Sequence, residues 1–162
     1  MMKVGFLALV VASAFIVSQH QVPPTNASIY VIFQGNCREA MEEYKSIFGG
    51  NLSLTTVGES PMKHAFPTAM QHRVVNAQLT NGRLNLSASD WLRPNEKPIQ
   101  GNTMCVYLHG GMPAELRSYW DKLVKGAKVS DPLSVKPFGT YGALTDRFGV
   151  RWMFQTDLKD RL

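Results

Sequence analysis

Three histidines, His64, His72 and His109, and two cysteines, Cys37 and Cys105, are the residues here with the most direct claim to chemistry. His64 sits in a stretch with two prolines and no periodicity, while His72 and His109 sit at the ends of predicted strands. A zinc ion needs three ligands converging at about 2 Å, and this spacing imposes no convergence. His109 stands out among the three, because the alternation Thr103, Cys105, Tyr107, His109 turns it to one strand face. The cysteines form no CxxC pair, which argues against a structural zinc site, and two of them do not make a disulfide framework. Cys105 would be a nucleophile only with a lowered pKa and a base in reach; otherwise both cysteines read as small buried residues. Asn76, in "VVNAQL", can donate and accept hydrogen bonds but cannot act as a general base. No GxSxG, phosphate-binding loop or dinucleotide fingerprint is present, so hydrolase, phosphotransferase and Rossmann readings have no motif to rest on.

The elements that must position these residues are written twice. "YVIFQGNCREAMEEYKSIFGG" is an apolar run, a break, an amphipathic helix and a glycine stop, and most of it recurs as "CVYLHGGMPAELRSYWDKLVKG". The first helix is predicted from about Cys37 to Phe48, with Asn36 as N-cap and Glu39 completing a capping box. Strands are predicted at "SIYVIFQ" and "NLSLTTV", and residues 58–71 read as a long loop. "HRVVNAQLT" and "RLNLSAS" then form a hairpin through Asn81-Gly82, with Val74, Asn76 and Gln78 facing inward. The second half repeats the order, with a strand at "NTMCVYLH", a helix from Pro113 to about Lys125, an extended segment near 128–136, and two strands in "GTYGALTDRFGVRWMFQ". The helices align at an offset of 76 residues, Ala40 with Leu116, Tyr44 with Trp120 and Ile47 with Leu123. Repetition on this scale is a module duplication.

Composition narrows the classes further. At 162 residues the chain fits one domain or two small modules sharing a core. The net charge of +5 favours acidic ligands, but Lys and Arg are scattered singly, so no nucleic-acid partner is expected. Residues 4–17, "VGFLALVVASAFIV", carry no charge and follow Lys3, which resembles a secretory signal and is short for a transmembrane span. Residues 1–27 are therefore read as a signal-like or anchor-like extension ending at Pro23-Pro24. Export or tethering follows if that segment acts, and a cytoplasmic location otherwise; any membrane contact is expected only through it.

"GNCREAMEEYKSIFGG", "NAQLTNGRLNLSASD" and "LTDRFGVRWMF" resemble the PhnB-like branch of the vicinal oxygen chelate superfamily, which includes glyoxalase I, bleomycin-resistance proteins and extradiol dioxygenases. The resemblance spans roughly residues 28–156, with module one at about 28–90, module two at about 102–156 and a tail at 157–162. It implies an α+β fold of two paired βαβββ modules, a curled mixed sheet with a U-shaped cleft, helices on the outer face, and a homodimer. Superfamily enzymes hold a divalent metal in that cleft with His and Glu, which suit a cation that activates substrate oxygens. The corresponding positions here are Ile29, Leu86, Cys105 and Met153, none of which is the His or Glu that such a site uses. Asn76 stands where the branch carries His, and "Phe138-Gly139-Thr140-Tyr141-Gly142" lacks the branch's Trp and Arg.

The cleft that the resemblance implies would be lined by Asn76, Tyr107, His109, Arg151, Met153 and Trp91. Arg151 there would favour a carboxylate or phosphate, and Trp91 would close the cleft or pack at a dimer contact. Met153 also reads as core filler, and Trp120 and Trp152 read as core. The expected function is metal-independent binding of an aromatic or anionic small molecule, for sequestration or sensing, with no cofactor. The alternative is a lyase or isomerase with a non-standard metal site or metal-free acid–base chemistry. A third reading is an exported or membrane-tethered protein whose cleft has lost its ligand and serves association.

Overall fold

A computed structural model describes residues 28–157. The export-signal reading of residues 1–27 and the tail 158–162 lie outside the described residues. Among the described residues no helix is long and apolar enough to cross a membrane.

Ten elements follow in order: β1 (Ile29–Phe33), α1 (Cys37–Phe48), β2 (Asn51–Thr56), β3 (Val74–Thr80), β4 (Asn85–Asp90), β5 (Val106–His109), α2 (Pro113–Leu123), β6 (Lys128–Lys136), β7 (Gly139–Thr145) and β8 (Arg151–Thr156). They form two four-stranded mixed sheets with equivalent orders, β1-β4-β3-β2 and β5-β8-β7-β6. In each sheet the first pair is parallel and the other pairs are antiparallel. A parallel pair needs a crossover, and the intervening helix and strands supply it. The fold is thus α+β, two βαβββ modules. Among the described residues, strands β1 and β5 each pair on one side alone, so both are edges of their sheets.

Local chemistry differs from the sequence expectation in four places. The Asn36 side chain makes no cap hydrogen bond, so the capping box is absent. Asp90, buried at the end of β4, takes over: Oδ1 accepts the Cys37 N–H at 3.0 Å, and Oδ2 accepts the Val74 N–H at 2.8 Å. A carboxylate at a helix N-terminus also meets the positive end of the helix dipole. The Asn-Gly hairpin is wider than two residues, with β3 ending at Thr80 and β4 starting at Asn85. The long loop carries two 3-10 turns, Lys63–Ala65 and Thr68–Met70. Strand β5 starts only at Val106, so Thr103 and Cys105 lie in the preceding loop.

One core serves both modules. Helix α1 buries Ala40, Met41, Tyr44, Ile47 and Phe48, and α2 buries Leu116, Trp120 and Leu123, as their helical spacing predicts. Trp152 on β8 is fully buried, with its ring 5.3 Å from Tyr44 and 5.2 Å from Phe48. Helix α1 packs on its own sheet and also reaches the second through Tyr44 and Phe48 against Trp152.

The two closing turns make this crossing specific. Asn81 heads the first turn, and its Oδ1 accepts the Arg83 and Leu84 N–H groups at 3.0 and 2.7 Å. Asp146 heads the second, and its Oδ1 accepts the Phe148 and Val150 N–H groups, both at 2.9 Å. The carboxylate has a second oxygen, which accepts Tyr44 Oη–H at 2.6 Å and Trp152 Nε1–H at 2.8 Å. Each turn also sends an arginine to the other module's helix. Arg147 pairs with Glu39 at 2.8 Å and with Glu43, and Arg83 pairs with Glu115 at 3.3 Å.

Removing one partner from a buried, fully used carboxylate leaves the others unsatisfied, which costs more than the bonds were worth. Asp146→Ala should therefore lower unfolding stability by about 3–5 kcal/mol, and Tyr44→Phe by about 1–2 kcal/mol. Chemical denaturation of the two variants and their double mutant should show strong coupling. Additive losses would mean that the Tyr44–Asp146 bond does not join the modules.

Candidate functional site

The "IYVIF" run makes β1 apolar on both faces, yet β1 is an edge. Val31 and Phe33 turn toward the core, leaving Tyr30 and Ile32 about half exposed (51% and 49%). Along this edge lies an open cavity of about 720 Å³, lined also by residues of the 91–105 loop and the 147–150 turn. Its wall includes Tyr30, Ile32, Trp91, Ile99, Met104 and Phe148. Trp91 is held firmly: its backbone N–H donates to Phe33 O at 2.7 Å, and its indole N–H donates to the Arg93 and Glu96 carbonyls at 2.8 and 2.9 Å. Arg151, the first residue of β8, lines both this cavity and an adjoining one of about 430 Å³, and its Nη1 donates at 2.9 Å to the carbonyl of Asn102 in the adjoining one.

A second cavity of about 550 Å³ runs along the β5 edge. Tyr107 and His109 line it with their rings stacked, centroids 5.0 Å apart and planes 24° apart, and Tyr107 Oη–H donates to Gln155 Oε1 at 3.0 Å. Arg83, Glu115 and Tyr119 face the same space, with Glu115 accepting from both of the others.

The six residues expected in one cleft are thus divided. Trp91 and Arg151 line the first cavity, and Tyr107 and His109 line the second. Asn76 and Met153 line neither; Asn76 is exposed on β3, and Met153 is half-buried beside Tyr107. Val74 does not share the open face of Asn76 and Gln78, because it is buried in the core. A bulge at Thr55/Thr56 breaks the alternation there.

In the first module the metal positions also shift by one residue, and in the second Met153 keeps its place with Tyr107 as its partner. Ile29 registers with Leu86, which is fully buried in the core, so the pair on the open face is Tyr30 with Ser87. Neither they nor Tyr107 and Met153 offer imidazole or carboxylate. Among the described residues no group of three His, Cys, Asp or Glu is placed to hold a metal ion. His64 lies in a 3-10 turn of the first module and His109 at the end of β5 in the second. A superfamily-type metal does not fit this donor set.

Both cysteines have distinct surroundings. Burial, and then the Asp90 carboxylate, push the Cys37 thiol up to about 12, which makes it a poor nucleophile. Cys105 lies instead in the wall of the first cavity. The wall residues that the spacing failed to flag are Tyr30, Ile32, Ile99 and Met104. The available signal was the unbroken apolar run of β1, too apolar for a strand with one wet face.

Comparison with known proteins matches residues 25–155 to the family model described as 3-demethylubiquinone-9 3-methyltransferase. No curated protein matches the chain. Among solved structures, protein PA1353 from Pseudomonas aeruginosa is 31% identical with a TM-score of 0.72, covering 83% of this chain and 100% of its own. A PhnB protein from Bacillus cereus, titled a putative 3-demethylubiquinone-9 3-methyltransferase, is 21% identical with a TM-score of 0.63, covering 82% and 99%. A glyoxalase/bleomycin resistance protein/dioxygenase family enzyme from Burkholderia phytofirmans is 8% identical with a TM-score of 0.53, covering 81% and 97%. The last two show the shared fold.

The cysteines offer a direct check. An aromatic disulfide reagent at pH 8 should label Cys105 in the native protein and reach Cys37 only after unfolding. The unfolded Cys37 thiol loses its proton above its ordinary 9.0, whereas the folded one holds it to about 12. Stability is therefore full below pH 9 and falls as pH rises toward 12, by about 1.4 kcal/mol per pH unit per proton. Tyr44, raised by burial and then by Asp146, acts in the same direction from pH 10.0. Cys37→Ala should flatten the fall between pH 9 and 10, and an unchanged slope would remove the assignment.

Proposed function

For a chain that belongs to the family described as 3-demethylubiquinone-9 3-methyltransferase, the PhnB-like branch of the vicinal oxygen chelate superfamily, we propose metal-independent binding of a small molecule. The molecule is an aromatic or anionic compound, held for sequestration or sensing in the manner of the bleomycin-resistance type. The observation that carries this reading is the first cavity. Its volume of about 720 Å³ lies in the range of about 300–1,000 Å³ that takes drug-sized ligands. Its wall combines aromatic and aliphatic side chains, Trp91 held in place among them, with a few amides and two arginines, the composition of a binding pocket. The family description names methyl transfer to a demethylated ubiquinone. An apolar wall of this kind supports holding a flat, largely apolar ring of that sort, and binding is the part that these residues support.

The proposal includes a homodimer. A strand edge carrying Ile29, Tyr30 and Ile32 exposed is a surface on which a second copy would form the outer side of the first cavity, leaving the ligand's space between the two. Static light scattering should give twice the chain mass.

Binding is read from thermal unfolding against a panel of aromatic and anionic compounds in the presence of a chelator. A true ligand at a hundred times its Kd adds about 2.7 kcal/mol, which raises Tm by roughly 5–10 °C for a chain of this size. Trp91 is the tryptophan in the cavity wall, whereas Trp120 and Trp152 are core residues. The same compounds should therefore change tryptophan emission, and Trp91→Phe should remove that change. Stabilisation that appears only with added Mn, Ni, Zn or Fe(II), or one tightly held ion per chain, would overturn the metal-independent reading.

A further inference from the structure

The charge around the first cavity is unbalanced in a way that selects its ligand. Its wall contains two cations, Arg147 and Arg151, and no Asp or Glu. Arg147 is already neutralised, since it pairs with Glu39 and Glu43 and lies over the Phe148 ring at 4.2 Å. Arg151 is different. It is half-buried, and it has no ion-pair partner among the described residues. Its one hydrogen bond, from Nη1 to the Asn102 carbonyl, fixes the guanidinium while a guanidinium's five donors leave others unspent. The second cavity lacks this feature, because Glu115 lies against Arg83 there.

We propose that the first cavity is a receptor for an amphipathic monoanion, an apolar aromatic body carrying one carboxylate, with Arg151 as its charge partner. The proposal rests on the small-molecule-binding reading above and narrows it. A planar guanidinium already held by one carbonyl presents a fork that matches a carboxylate in two parallel hydrogen bonds. The body of the ligand would lie along Ile32 and Trp91, with Met104 over it. Partial burial keeps water from screening the pair, and the net charge of +5 favours the anion's approach. A cation meets two arginines and no carboxylate in this wall, and a neutral analogue leaves the Arg151 charge unanswered.

Titration of the full chain with naphthoate, its neutral isostere naphthamide and the cation naphthylmethylamine tests this, read by calorimetry. Naphthoate should bind at least about tenfold more tightly than naphthamide, and the amine most weakly. Arg151→Gln should weaken naphthoate by about 10–100-fold while changing naphthamide less than about threefold. Arg38→Gln removes an equal charge from the exposed face of α1 and should leave both affinities as they are. Equal affinities for acid and amide, or a preference that survives Arg151→Gln, would overturn the charge assignment and leave the binding reading standing. If none of the three binds a folded protein at millimolar concentration, both are overturned.

Discussion

The fold depends on one buried carboxylate. Asp146 is almost fully enclosed, and its two oxygens accept four hydrogen bonds with separate purposes. Oδ1 folds the turn between β7 and β8. Oδ2 ties that turn to Tyr44, 102 residues earlier, and to Trp152. An unpaired charge at this depth would be costly, and full satisfaction is what makes it tolerable. The same residue that shapes the second module's turn thus fixes where the first module's helix lies on it. Asn81, its counterpart, shapes its own turn equally well but spends its amide on the Phe48 carbonyl at the end of its own module's helix. The duplicated modules are therefore not equivalent, and the joint is carried mainly by one of them.

That asymmetry carries through to the cavities. Holding α1 against the second sheet brings the β7–β8 turn over the end of β1, where Phe33 and Phe148 meet edge to face at 6.5 Å. The turn therefore becomes a wall of the first cavity, and Arg147 within it is drawn outward to Glu39 and Glu43. On the other side, Arg83 finds Glu115 on α2 inside the second cavity itself. One turn places only the arginine of its ion pair in its cavity wall, and the other places both partners there. The first cavity is left with a net positive wall, and the second is left close to neutral.

Much of this architecture was legible from the sequence, and the reasons are local. Helical spacing in α1 and α2 marked Tyr44, Ile47, Trp120 and Leu123 as core, because burial follows a period that short windows reveal. What escaped was the set of decisions taken between distant residues. Asn36 looked a sufficient N-cap, but Asp90, 53 residues away, was better placed. Leu86 was counted into a cleft, although its register with Ile29 turns it into the core, a one-residue matter that reverses the face. The site residues divided between two cavities for the same reason. Strand alternation shows which residues share a face, and it is silent about which sheet edge a loop will cover.

The β1 edge is the place where local rules and global fold disagree. A soluble sheet edge is normally short, charged or twisted away, since a row of free backbone groups beside apolar side chains invites pairing. Strand β1 has no charge among its five residues, and its exposed side carries Ile29, Tyr30 and Ile32. Stability does not require this: Val31 and Phe33 already supply the core contacts, and polar residues at 30 and 32 would fold as well. Ile99 and Met104, in the loop facing this edge, are nearly fully exposed, 98% and 85%, so the protein's own loop does not bury the strand either. Violations of this kind collect where a molecule other than the chain completes the packing. An apolar edge under a largely exposed loop, ending at an arginine without a counter-ion, has the form of a wall whose missing part is a ligand.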